Sequence, residues 1–152
     1  MKNSIYIMSE PIHSGKTTTL QQWLRNKDIK AGGILAPDKD GLRQLYDIAK
    51  GLYHPFEVDG NHPEADILAI GKYKFARSSF QLAQQILKES VEQDPEWVIV
   101  GLEPVISEII HTYQSGEKKG KLLLVIRNYL LDEAVNMYGL NTDMIVHKSF
   151  FE

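Results

Sequence analysis

Residues 4–23 (SIYIMSEPIHSGKTTTLQQW) leave few folds open to this chain. The apolar run Ile5, Tyr6, Ile7, Met8 reads as a short buried strand, and a small polar segment follows it. Gly15-Lys16-Thr17-Thr18 then opens a segment in which Leu20, Trp23 and Leu24 fall at helical spacing. Strand, loop, Gly-Lys-Thr, helix is the layout of a phosphate-binding loop. The first amides of a helix have no internal partner and sit at the positive end of its dipole, so they accept an anion. A Lys there adds a mobile charge for the β- and γ-phosphates, and a Thr hydroxyl can ligate Mg²⁺. The tripeptide alone is weak. It gains meaning from standing between a strand and a helix.

The loop departs from the usual pattern at its start. The position five residues before Gly15, ordinarily Gly, is Glu10. A Gly there serves a backbone turn closed to most side chains, and a carboxylate adds negative charge beside an anion. Either Glu10 points away from the ligand or the loop through Pro11, Ile12, His13 and Ser14 runs a different course. His13 and Ser14 can then supply donors to phosphate in place of lost backbone contacts; the plain alternative for His13 is a solvent-exposed loop residue.

Length and composition bound the rest. At 152 residues the chain is of one-domain size, and 43% hydrophobic with 24% charged residues is ordinary for a soluble globular protein. A net charge of −3 and a pI near 6.0 argue against a nucleic-acid partner, which wants a basic face. With no cysteine there is neither a disulfide nor thiolate chemistry, which fits a reducing cytoplasm. No apolar run approaches the length of a membrane span, so the expected location is cytoplasmic.

Taken in order, residues 32–49 read as a β-hairpin turning at Pro37-Asp38-Lys39-Asp40-Gly41. Residues 51–65 lack periodicity and read as an excursion over the surface. His54 and His62 there find no third ligand at a recognisable spacing and read as loop histidines. Residues 67–75 read as one or two short strands broken at Gly71. A helix over 79–93 is marked by a capping box, Ser78 with Gln81, and by the stripe Phe80, Ala83, Ile86, Leu87, Val91. Trp97-Val98-Ile99-Val100 and residues 121–126 (KLLLVI) are continuous apolar runs suited to a parallel sheet covered on both faces. Helices are expected after each, the second stopped at Gly139, and Met144-Ile145-Val146 suggests a last strand. The expectation is therefore a single α/β domain, three-layered, with a mostly parallel sheet and an added β-hairpin. In such folds ligands sit beyond the carboxyl ends of the strands, which places Gly15-Lys16-Thr17, Glu103 and Arg127 on one edge.

The run 97–100 leads into Gly101-Leu102-Glu103. Phosphate-loop hydrolases usually end this strand with an Asp in the Mg²⁺ shell, often followed by a Glu that activates water. Here the Asp position is Leu102, and Glu103 is available either to the Mg²⁺ water shell or to the attacking water. The plainer alternative is a helix N-terminal carboxylate. Arg127 is either a stabiliser of transferred charge or an exposed strand-end residue.

Together these residues resemble the THEP-type nucleoside-triphosphatase family, small P-loop proteins of the additional-strand class. The strand and GKTT helix over residues 5–24 are similar to the family's opening. Gly32-Gly33-Ile34-Leu35-Ala36-Pro37-Asp38 with Tyr46-Asp47-Ile48 is similar to its glycine-led hairpin, and Gly71-Lys72-Tyr73 to its segment before a helix. Leu102-Glu103 with Glu108, and the strand 122–127 ending in Arg127, are similar to its later strand ends. The resemblance implies Mg²⁺-dependent hydrolysis of ATP, GTP and other nucleoside triphosphates. On this reading His13, Ser14, Gly15, Lys16, Thr17 and Thr18 bind the nucleotide, Thr17 and Glu103 serve the metal, and Lys16 and Glu103 are catalytic. Glu10, His13 and Leu102 depart from the family pattern, so slow hydrolysis is expected. The rival is a catalytically inactive nucleotide- or anion-binding regulatory module. The sequence identifies no protein partner.

Overall fold

The computed structural model describes residues 5–10, 16–39, 41–59, 61–70, 73–101, 107–127 and 130–146. Among these residues five strands run parallel, in the order β10 (Ile145–Val146), β1 (Ile5–Glu10), β9 (Lys121–Arg127), β8 (Trp97–Val100) and β2 (Ala31–Leu35). An additional strand, β9, thus lies between β1, which leads to Gly-Lys-Thr, and β8, which leads to Glu103.

This strand order decides where the helices go. From β1 the chain crosses β9 and β8 to reach β2 by way of α1 (Lys16–Asn26). The later crossovers, through α2 (Arg77–Gln93), α3 (Ser107–Gln114) and α4 (Leu131–Tyr138), all run back the other way. Because parallel crossovers are right-handed, α1 must lie on one face and the other described helices, α2–α4, on the opposite one. The packing agrees. Leu20, Trp23 and Leu24 of α1 meet Met8, Ile99, Leu123 and Val125. Ala83, Ile86, Leu87, Ile109, Ile110 and Val135 meet Ile7, Val98, Val100, Leu122, Leu124 and Ile126. Successive residues of β9 feed opposite cores, which is why KLLLVI shows no polar alternation.

The hairpin expected over 32–49 is present, with its first arm inside the parallel sheet. The arm β3 (Asp38–Lys39) pairs with β4 (Leu42–Asp47) in the same register as β2 does: Leu35 lies opposite Tyr46 and Asp38 opposite Arg43. β2 and β3 are therefore one strand interrupted at Ala36-Pro37. The turn closes at Gly41, whose φ of 86° suits a tight hairpin. The second arm ends at Asp47, two residues before the sequence suggested. Asp47, buried, accepts the Lys50 amide and closes a turn instead.

Two sequence readings are corrected. Residues 51–65 are not wholly a surface excursion: β5 (Leu52–Pro55) pairs antiparallel with β4, as the eighth strand of the sheet among the described residues, and Phe56 behind it is buried. An edge strand exposed on both faces carries no alternation to detect. The capping box at Ser78 is not formed. α2 starts at Arg77, and Asp66 accepts both the Ser78 amide (3.0 Å) and its hydroxyl (2.9 Å). His62 Nε2 lies 2.7 Å from the same carboxylate. These bonds hold the Asp66 carboxyl below the usual range, the His62 contact contributing most. Residues 67–75 do form two strands, β6 (Ile67–Ile70) and β7 (Tyr73–Ala76), in a hairpin of their own.

Gly32 and Gly33 set the spacing of the middle of the fold. A Cβ on Gly32 would come 2.8 Å from the Ser90 side chain of α2, and the Gly33 amide donates to Ser90 Oγ at 2.9 Å. α2 therefore seats against bare backbone. At its far end Asp94, left-handed at φ 47°, accepts the amides of Lys119 and Gly120 and ties the α2 terminus to the start of β9. Those amides, Lys119 first, hold its carboxyl below the usual value.

Candidate functional site at the strand ends

Because β1, β9 and β8 are parallel, their carboxyl ends share one edge. Glu10, the last residue of β1, pairs in register with Arg127, the last of β9. The chain leaving β8 is held close by, where the Gly101 amide donates to the Ile34 carbonyl at 2.8 Å.

Lys16 is the first residue of α1 and Thr17 the second; both are described by backbone alone. Thr18, one residue on, is exposed. The first turn of α1 carries no acidic residue, whereas that of α4 carries Asp132 and Glu133. The positive end of the α1 dipole thus has no carboxylate of its own to neutralise it. Leu20, fully buried, anchors the helix on Met8 and Ile99 with Trp23 and Leu24 beside it, so its front end is held by a rigid contact. His13, Ser14, Gly15, Leu102 and Glu103 lie outside the described residues, as do the side chains of Glu10, Glu108 and Arg127. Among the described residues no three His, Asp or Glu groups are placed to hold a metal ion, and His62 is engaged with Asp66.

Glu10 looks different here than in the sequence. It ends β1 in extended backbone, a conformation open to any residue, so the steric objection to a non-glycine residue at this position disappears. The electrostatic objection remains, and the register sets only the backbones of Glu10 and Arg127 side by side. Sequence reading placed Arg127 at a strand end but had no means of pairing it with Glu10, because the two are far apart in the chain.

A three-layer α/β architecture, with its parallel sheet extended by an antiparallel hairpin and an additional strand beside β1, defines the P-loop NTPase fold class. No protein-family model matches the chain, and no curated protein sequence matches it either. Its structure is similar to a solved one, THEP1 from the hyperthermophile Aquifex aeolicus, with a TM-score of 0.68. The alignment covers 94% of this chain and 87% of that one, at 14% identity. A likeness at that identity is one of fold. It agrees with the architecture the sequence implied. No helix among the described residues is long and apolar enough to cross a membrane.

Proposed function

We propose that this chain binds nucleoside triphosphates, ATP or GTP, at the front of α1 and hydrolyses them slowly with Mg²⁺. The observation that carries this reading is the placement of Lys16 as the first residue of a helix returning from the strand edge where β8 and β9 also end. The free amides of the first turn and the Lys16 ammonium hold the phosphates, with His13, Ser14, Gly15 and Thr18 around them. Bound Mg²⁺ would neutralise phosphate charge; the Thr17 hydroxyl, a hard oxygen donor at the second helical position, suits it, and Glu103 serves either its water shell or the attacking water.

The competing reading, an inactive nucleotide- or anion-binding module in the same fold, draws on Glu10 and Leu102, which stand where the loop Gly and the metal-associated Asp are expected. Phosphate release over a nucleotide panel with Mg²⁺ separates the two. The enzyme reading expects release by the native chain and its loss in Glu103→Gln. No release from the native chain favours the module.

Glu10 has an expected effect of its own. A carboxylate close to a bound phosphate costs about 1 kcal/mol even when the pair is screened as in bulk water. Glu10→Gly is therefore expected to tighten triphosphate binding roughly five- to tenfold in calorimetry. Unchanged affinity would mean that this carboxylate does not feel the ligand.

A further inference from the structure

Among the described residues α1 is the one helix on its face of the sheet, and that face is wider than α1. Adjacent strands lie about 4.8 Å apart and a helix is only about 10 Å across, so one helix cannot roof a sheet running from β10 to β5. On the hairpin side of α1 the result is a groove of about 490 Å³, at the edge of the sheet opposite the strand ends described above. Its apolar walls come from Leu24, Ile29, Ile48 and the ring of Tyr46. The outer wall is fastened: Gln21 Nε2 of α1 donates to the Tyr53 hydroxyl at 3.1 Å, and the Tyr46 and Tyr53 rings lie 4.7 Å apart.

Among the described residues the charged ones lining this groove are Arg25 and Lys30, both basic and exposed, and neither forms an ion pair there. Arg25 also stands in the last turn of α1, where the dipole alone favours a cation. That accounts for one charge but not for Lys30, which lies in the loop beyond the helix. Two helix carboxyl ends, at Asn26 and Gln93, flank the groove, each equivalent to about half a negative charge. Two full positive charges against them leave a net of about one. The volume is in the range of small-molecule sites, about 300–1,000 Å³.

We propose that this groove binds a small organic monoanion, an apolar ring-sized body carrying one carboxylate or sulfonate. The apolar body lies along Leu24, Ile29 and Ile48 against Tyr46, and the anionic group is taken by Arg25 and Lys30. The site is separate from the phosphate cradle. The two are joined by α1, which carries Lys16 at one end and Arg25 near the other, about 13 Å apart along the axis.

The test uses 8-anilinonaphthalene-1-sulfonate, a ring-bodied monoanion read by its fluorescence. Its uncharged analogue N-phenyl-1-naphthylamine serves as the control. The native chain is expected to bind one equivalent of the sulfonate at least tenfold more tightly than the analogue. Arg25→Gln/Lys30→Gln, at two exposed positions, is expected to leave melting unchanged and to weaken sulfonate binding at least tenfold. Lys16→Ala is expected to leave it unaltered, so this result stands or falls apart from nucleotide binding. A smaller loss in the double variant overturns the proposal, as does equal binding of the uncharged analogue. Loss of sulfonate binding in Lys16→Ala would place the probe in the phosphate cradle and overturns it too. A dimer in sedimentation that the sulfonate dissociates would assign the groove to a second copy of the chain.

Discussion

Lys16→Ala is expected to abolish measurable binding of ATP and GTP, an affinity loss of at least about a hundredfold, or 2.7 kcal/mol. The magnitude follows from what the ammonium does. Charge-assisted hydrogen bonds are worth about 1.5–3 kcal/mol each, and this lysine is expected to reach two phosphates. The substitution itself is benign for the fold. Lys16 starts a helix, alanine is the best helix former, and α1 is held to the sheet by Leu20, Trp23 and Leu24 further along. Loss of binding with unchanged melting therefore reports on the ligand rather than on folding. Calorimetry showing undiminished binding of both nucleotides would remove Lys16 from the site and leave the front of α1 without its assigned role.

Gly33→Ala is expected to cost more than about 4 kcal/mol and to lower the melting temperature by roughly 8–16 °C. Gly33 sits in β2 at φ 102°, outside the range of L side chains. An added Cβ would meet the Ile99 carbonyl oxygen at 2.0 Å and the Ile99 amide nitrogen at 2.7 Å. Both are backbone atoms of β8, and β8 is pinned between β2 and β9 with all four of its residues buried. Nothing there can give way. The change would also displace the amide that Ser90 Oγ accepts, loosening α2 from the sheet. Gly116→Ala supplies the contrast: φ is 79°, but no atom lies within 4 Å of the added carbon, so only the backbone strain of about 1–2 kcal/mol remains. Equal melting temperatures for the two variants would show that the β2–β8 seam is not as close as described.

The sequence carried much of the fold because the information was local. Ile5–Met8, Trp97–Val100 and the KLLLVI run are strands whose burial on both faces is written in uninterrupted apolar residues. Ala83, Ile86 and Leu87 declare the face of α2 by spacing alone. Gly139 ends α4 in a left-handed conformation, as its position suggested. Readings of helix ends and edges fared worse. Ser78 and Gln81 have the letters of a capping box, yet the acceptor for the Ser78 amide is Asp66, twelve residues earlier. β5 was missed because Leu52 and Tyr53 are exposed, at 51% and 41%, and strand identity there comes from pairing with β4. Arg25, Lys30 and Tyr46 gave no signal as a group, since each is an ordinary residue on its own element.

By itself, then, the sequence determined that β1 is followed by a helix opening with Lys16, and that strands and helices alternate over a parallel sheet. Periodicity and turn chemistry reside in neighbouring residues. The tertiary structure decided the strand order, and with it the placement of α1 on the face opposite α2–α4 and the groove beside it. It also decided that Glu10 ends a strand in register with Arg127. Those features depend on pairings between distant segments, from Val98 with Leu122 through Ala31 with Trp97 to Glu10 with Arg127, which no local pattern encodes, and on the right-handed crossover that turns strand order into helix placement.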